Sequence, residues 1–396
     1  MDLWKRNLIF LSTGVVISAI GFSMVIPFLP MYLTELGLEE KSLPIWTGII
    51  ASSSFLTNGL MSPIWGSLAD RYGKRIMLVR SGLGMIISYS LMGLVQNHYQ
   101  LLYLRLLNGL LSGYIPASIM LVATNTPELY LGFALGVIQT SVAVGNIMGP
   151  LVGGFSAKIL GIRYSFFFAA TLIALAVILG FFGTREHIKK TKSKQSILAD
   201  IKEVISYPVL RRIFLIKVIV QAGLFTIQPT LPLYISEITT KNIEVITGVI
   251  FSAFGISTAV GAPLIGRMAN INAKKIYING LWVAALLSFM QGTTSNVSWL
   301  GIERFVMGFA NAAVTVGNNV LLAQSVSEEI RGRVFGVLNT FTAMGFIGGP
   351  LIGGFLGSHL GLSSPFYGGG ILMLLAALLL WAIPNIHNEK AYECAK

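Results

Sequence analysis

The sequence predicts an all-α, polytopic membrane protein with twelve transmembrane helices in two pseudo-symmetric six-helix bundles. Three observations predict it. Of 396 residues, 54% are hydrophobic and only 11% charged, with a mean hydropathy of +0.74, whereas a soluble domain carries about 25% charged residues to cover its surface. Apolar runs of about 20 residues, the length that crosses a bilayer, recur along the whole chain. The chain also repeats itself at an offset of 200 residues: Gly145, Gly149, Pro150, Gly153, Gly154 and Phe155 return as Gly345, Gly349, Pro350, Gly353, Gly354 and Phe355. A second stretch keeps that offset, with Pro63, Gly66, Ala69, Asp70, Lys74 and Arg75 set against Pro263, Gly266, Ala269, Asn270, Lys274 and Lys275.

The first six spans are expected at 7–33, 44–69, 76–95, 99–123, 131–155 and 163–183. Span 1 is followed by Glu35, an acid that suits the interface. Span 2 ends on Asp70, and Gly73 permits a tight turn into span 3. Span 4 carries Arg105 six residues from its outer end, roughly 9 Å deep at helical rise. In span 5, Gly145, Gly149 and Gly153 fall four apart on one face, a groove that lets another helix approach closely. Pro150 removes a backbone donor there. Span 5 should touch span 8, and span 11 should touch span 2.

A polar stretch at 184–210 separates the bundles, giving domains 1–183 and 211–396 around a linker. Within it, Ile197–Val204 could lie on the membrane as an amphipathic helix; a solvated linker is the simpler reading. Spans 7 to 12 are expected at 211–236, 245–268, 275–293, 298–322, 333–356 and 365–384. Lys217 in span 7 should snorkel to the nearby surface, and Glu237 ends that span at the interface. Span 10 carries Glu303 and Arg304 where span 4 has Leu104 and Arg105. The many Gly and Pro residues within spans are tolerated because bundled neighbours and the absence of competing water protect the backbone bonds.

A net charge of +12 is compatible with a nucleic-acid partner, but its distribution rejects that. With the N-terminus inside, 21 of the 28 Lys and Arg fall in cytoplasmic segments, including Arg71, Lys74 and Arg75 and most of the linker. External loops hold Lys41, Lys158, Arg163 and Lys241. This positive-inside asymmetry places both termini in the cytoplasm. The first apolar run is too long for a cleaved signal. The one cysteine, Cys394, sits in the polar tail, so no disulfide framework or cysteine metal site is expected. The histidines, His98, His187, His359 and His387, fall in loops, linker and tail. They form no catalytic set with a serine, so a membrane enzyme finds little support. No metal and no cofactor is expected.

Even span counts on both sides of a cytoplasmic linker make the repeats parallel, related by an axis along the membrane normal. Three sets of residues then carry a resemblance. Gly66, Asp70, Arg71, Gly73, Lys74 and Arg75 resemble the cytoplasmic loop signature of the major facilitator superfamily. The loop is no phosphate-binding loop, because Leu68 stands where that spacing needs glycine. Gly145 to Gly154 resemble the superfamily's exporter motif. Trp4 to Leu8, Ser62 to Gly66 and Leu104 to Gly109 carry a closer likeness to bacterial multidrug exporters of the fluoroquinolone type, over essentially the full length. The resemblance implies a major facilitator fold and a drug:proton antiporter working by rocker-switch alternating access, a monomer in the bacterial cell membrane whose partners are an amphiphilic small molecule, protons and lipid.

The resemblance also implies roles for particular residues. Asp70 and its loop would lock the outward-facing state. Arg105 would serve proton coupling, with Glu303, Glu35 or Asp70 as the carboxylate. Spans 1, 4, 7 and 10 would line the substrate cavity, which nominates Phe28, Met31, Asn108, Tyr114, Gln221, Phe225, Gln228, Asn311, Thr315 and Asn318. The sequence departs from relatives that bury an acid in span 1, 7 or 10 for cationic drugs: the middle of span 1 reads Ile20 to Val25, and Ala310 stands mid-span in span 10. Neutral, zwitterionic or weakly acidic amphiphiles fit better. A dedicated exporter of one endogenous metabolite, sugar or lipid is the alternative. The loop acid is kept once: Asn270 replaces it in the second copy, so the ionic gate should be one-sided.

Overall fold

A computed structural model describes residues 2–186, 204–326 and 328–383, the side chains at 269–271 and 328–329 excepted. Residues 187–203 of the linker, His187, His387, Cys394 and the Asn270 side chain lie outside the described set. Val204, at the end of the segment considered for a surface helix, is buried in a hydrophobic core with Leu210 and Phe214. All regular structure among the described residues is helical. Among the described residues, eight helical runs are long and apolar enough to cross a bilayer, among them Glu128–Leu160 and Val297–Gln324.

Three of the expected spans are broken. Span 1 is Leu3–Ser23 followed by a 3-10 turn, Ile26–Phe28, and then Leu29–Glu35. Pro27 and Pro30 supply no N–H there, so the α-helical ladder cannot run through. Span 4 breaks between His98–Leu111 and Tyr114–Asn125, with Ser112 extended and Gly113 at φ +142°. That φ lies in the region glycine adopts without a β-carbon penalty. Span 7 is Pro208–Thr226 and Leu231–Ile238, broken around Pro229 and Pro232. Val297–Gln324 in span 10 is continuous. Freed backbone groups at membrane depth survive only where the bundle shelters them.

The chain divides into two compact units. The first takes residues 1–43, 53–193 and 240–252; the second takes 44–52, 194–239 and 253–396. The opening of span 2 thus packs with the second unit, and the opening of span 8 with the first.

Inside each unit the glycine motif works on two faces. In the first, Gly145 lies against Val16 and Ala19, Gly149 against Ile20 and Ser23, and Gly153 against Met24 and Phe28. The stripe therefore seats span 5 (Glu128–Leu160) on span 1. Span 8 is met by the other face: Gly154 packs on Glu244 and Val245, Gly248 on the Pro150 carbonyl, and Ser252 donates to the Ile147 carbonyl at 2.6 Å. The second unit repeats this 200 residues on. Gly345, Gly349 and Gly353 lie on Val218 to Thr226 of span 7, Gly354 on Pro44 and Ile45, and Gly48 on the Pro350 carbonyl. Ser52 donates to the Ile347 carbonyl at 2.7 Å. Expectation and structure differ in one respect: the four-residue glycine stripe serves spans 1 and 7, while the second glycine of each pair serves spans 8 and 2. A stripe at i, i+4 and i+8 occupies one side of a helix, so a residue one position on is turned about 100° away and meets a different neighbour.

Candidate functional site

The loop joining Leu43–Tyr72 to Lys74–Met92 turns on Gly73 alone, at φ +103°. Asp70 pairs with Lys74 at 3.3 Å, the carboxylate side chain being 40% exposed. Arg71 lies over the Tyr72 ring. The amide end of span 3 is closed by Glu186, which the sequence reading missed: its two oxygens accept the Lys74 and Arg75 N–H groups, each at 2.9 Å. A carboxylate there satisfies orphan donors and opposes the positive end of the helix dipole. At the adjoining end of Ile162–Gly183, Arg75 donates to the Phe181 carbonyl and lies 4.7 Å over that residue's ring. Arg6 donates to the Gly183 and Phe182 carbonyls, while Asn7 and Arg185 exchange two hydrogen bonds. The carbonyl end of span 6 thus receives cations and the amide end of span 3 an anion. Gly66 faces open space.

The second copy is built differently. The helix run Ile243–Thr293 kinks at Asn272, whose side chain accepts the Lys275 N–H at 3.0 Å. Lys274 donates to the Trp381 and Ile383 carbonyls at the end of span 12, as Arg75 does at Phe181. Basic residues at helix ends recur, while an acidic helix cap at Glu186 is seen only in the first copy among the described residues.

The intramembrane charges are buried. Arg105 is 2% exposed, with no partner among the described residues for its Nε and Nη2 atoms; it does not snorkel out of its unit. Glu303 is 3% exposed and accepts the Thr294 hydroxyl, 2.9 Å from each oxygen. Tyr234 in turn donates to the Thr294 carbonyl at 2.7 Å. Arg304 is buried beside it, 5.9 Å from the Phe366 ring, and its Nε lacks a partner. Among the described residues, neither Arg105 nor Glu303 has an oppositely charged side chain within ion-pair reach. Glu35 is exposed at the end of its helix, and Lys217, expected to snorkel, is only 8% exposed.

The nominated cavity residues fall into two groups. Asn108 and Tyr114 line one cavity of about 150 Å³ in the first unit, together with Ser18, Phe22, Asn58 and Met85. It lies among spans 1, 2, 3 and 4, beside the break in span 4. Phe28 is packed against Gly153, away from that cavity, and Met31 is not in its lining. In the second unit, Gln221 packs on Gly345, and Phe225 meets Phe346 edge-on with ring centres 4.5 Å apart. Asn311 donates to Thr258 at 3.3 Å, and Asn318, fully buried, donates to Asn319 at 3.3 Å. Gln228, Asn311 and Asn318 each keep an oxygen without a protein partner. Thr315 is half-buried on the same helix.

A family model described as Major Facilitator Superfamily matches residues 11–246 and 213–392. The chain belongs to the major facilitator superfamily. Within the superfamily it is similar to the multidrug resistance protein MdtG of Citrobacter koseri, at 36% identity over 386 residues, 96% of this chain and 95% of that one. It is equally similar to MdtG of Escherichia coli, at 36% identity over 97% of both chains. Solved transporter structures share its fold at low identity. The nucleoside transporter NupG superposes with a TM-score of 0.80 at 14% identity, covering 98% of this chain and all of that one. A bacterial homolog of the human lysosomal transporter Spinster gives 0.79 at 15%, covering 96% and 97%. The protein is a multi-pass membrane transporter of that superfamily, acting on small molecules.

Proposed function

We propose that this protein exports amphiphilic small molecules from the cytoplasm or the inner leaflet of the bacterial cell membrane, driven by inward proton flow. The observation that carries this reading is the near full-length similarity to multidrug resistance proteins. The doubled glycine motif, matching the exporter pattern, supports the direction. In the mechanism, two bundles bounded near 183 and 211 rock about a midplane site, with both termini in the cytoplasm and the chain acting as a monomer. Asp70 and its loop hold one end state. Glu303 takes up and releases the proton, since it is a buried carboxylate held by the Thr294 hydroxyl with no ion-pair partner among the described residues, and an intramembrane ionisable group is by default functional. Arg105 supplies the opposing charge in the first bundle.

The test is efflux of a fluoroquinolone or a fluorescent dye from proteoliposomes with an imposed pH gradient. Transport that ignores the gradient rejects the proton coupling. The small size of the cavity in the first unit, about 150 Å³, favours a second reading, a dedicated exporter of one metabolite, sugar or lipid. One tight ligand with no drug efflux would select it.

A further inference from the structure

We infer that the cavity among spans 1 to 4 is a subsite for an uncharged, ring-sized group carrying both a hydrogen-bond donor and an acceptor, such as an aromatic carboxamide, and that Asn108 recognises it. The inference rests on the export reading and names the chemical class that one part of its site would take. Asn108 is 1% exposed, yet among the described residues both its Nδ2 and its Oδ1 lack a protein partner. The Ser18 hydroxyl, also 1% exposed, lacks one too. Leaving a buried polar group unpaired costs about 1–3 kcal/mol, and folded proteins pair nearly all of them.

The other polar groups in the wall are already engaged. Asn58 donates to Ser112 at 2.6 Å, Ser112 to the Gly109 carbonyl at 3.2 Å, and Tyr114 to the Ala176 carbonyl at 2.7 Å. The free capacity of the cavity is therefore concentrated on Asn108 and Ser18, from spans 4 and 1. A primary amide with both edges free is complemented by another group that accepts on one side and donates on the other.

Size and charge narrow the class. A cavity of about 150 Å³ is the size that admits a single benzene ring, and Phe22, Met85 and the Tyr114 ring give this one apolar walls. Among the described residues, no charged side chain lines it. A buried ion without a partner is far costlier than a neutral amide with its hydrogen bonds made. Arg105, one turn from Asn108 and without an ion-pair partner among the described residues, adds a positive field that opposes a cation. A carboxylate would meet the Asn108 carbonyl oxygen as well as its amide.

The experiment uses the purified full-length protein and three probes of one shape: benzamide, benzamidinium and benzoate, compared by ligand-observed NMR titration. The expected result is that benzamide binds at least tenfold more tightly than either ion. Asn108→Leu, close in shape, weakens benzamide at least tenfold. Asn108→Asp shifts the preference to benzamidinium, a gain that keeps the proposal testable should the leucine variant fold poorly. Equal binding of the three probes, preference for benzoate, absence of benzamide binding, or benzamide binding untouched in Asn108→Leu would each overturn it; the benzoate outcome assigns the cavity to an anion held by Arg105. Loss of gradient-driven export with Asn108-dependent binding intact would reject the export reading alone. Export intact with binding indifferent to Asn108 would reject this inference alone.

Discussion

The Glu186 carboxylate accepts the Lys74 N–H at 2.9 Å, with its second oxygen on the Arg75 N–H at the same distance. The residue that leaves the last helix of the first bundle thereby closes the first turn of span 3. The acid seated on the amide end of span 3 is Glu186, while Asp70 reaches, among the described residues, across its own turn to Lys74.

Glu186→Ala should lower stability by about 1 kcal/mol, the usual loss when a helix cap is removed. Glu186→Gln should cost less, because one oxygen can still accept. Melting in detergent reads both. An alanine variant as stable as wild type would mean that solvent replaces the carboxylate without loss.

Asp70→Asn separates gating from folding. Its bridge to Lys74 is a part-exposed pair across the Gly73 turn, worth about 0–1 kcal/mol. Melting should hardly move, while transport in proteoliposomes falls sharply if the loop is a gate. Asn270→Asp should be much milder, because among the described residues the second copy meets span 12 through Lys274. Equal transport defects in the two variants would contradict a one-sided gate.

The glycine stripe makes a ranked prediction. A β-carbon at Gly153 overlaps the Met24 carbonyl, part of the backbone, whereas one at Gly149 meets chiefly the Ser23 side chain. Gly153→Ala should therefore destabilise more than Gly149→Ala, within the roughly 1–3 kcal/mol typical of overpacking. Gly66→Ala, which faces open space, is the control for both. The bulkier Gly149→Leu should wedge span 5 off span 1 and stop transport while still inserting into the membrane. Normal transport by that variant would refute the close packing.

The architecture was legible because its causes are local. Apolar length announces the spans, and the 200-residue echo in the sequence reappears as matched contacts, Gly248 on Pro150 and Gly48 on Pro350. The breaks were written in Pro27, Pro30, Ser112 and Gly113, but Gly and Pro are so common in these spans that no single pair stood out. Glu186 was not legible at all: the amides it accepts lie 111 and 112 residues away, and only the fold brings them within reach. The cavity was half-legible. Asn108 and Tyr114 are polar residues on a span expected to face inward, but that Ser18 is unpaired while the Tyr114 hydroxyl is spent on Ala176 depends on side-chain packing. The glycine stripe shows the same limit, since periodicity identifies a face without naming the helix it meets.

Glu303 is the sharpest test of coupling. Its carboxylate is 3% exposed and hydrogen-bonded to the Thr294 hydroxyl, with the adjacent Arg304 outside ion-pair distance. A glutamine is nearly the same shape and keeps one oxygen for Thr294, so Glu303→Gln should fold and melt close to wild type. It cannot gain or lose a proton across the physiological range. Uphill export driven by a pH gradient should then vanish, while exchange of labelled for unlabelled substrate at equal pH persists, because exchange needs the bundles to rock without net proton movement. Proteoliposomes measured in both modes distinguish the roles. Loss of exchange together with export would make Glu303 a structural residue of span 10. Full retention of gradient-driven export would move the proton to another carboxylate, with Asp70 and Glu35 next in line.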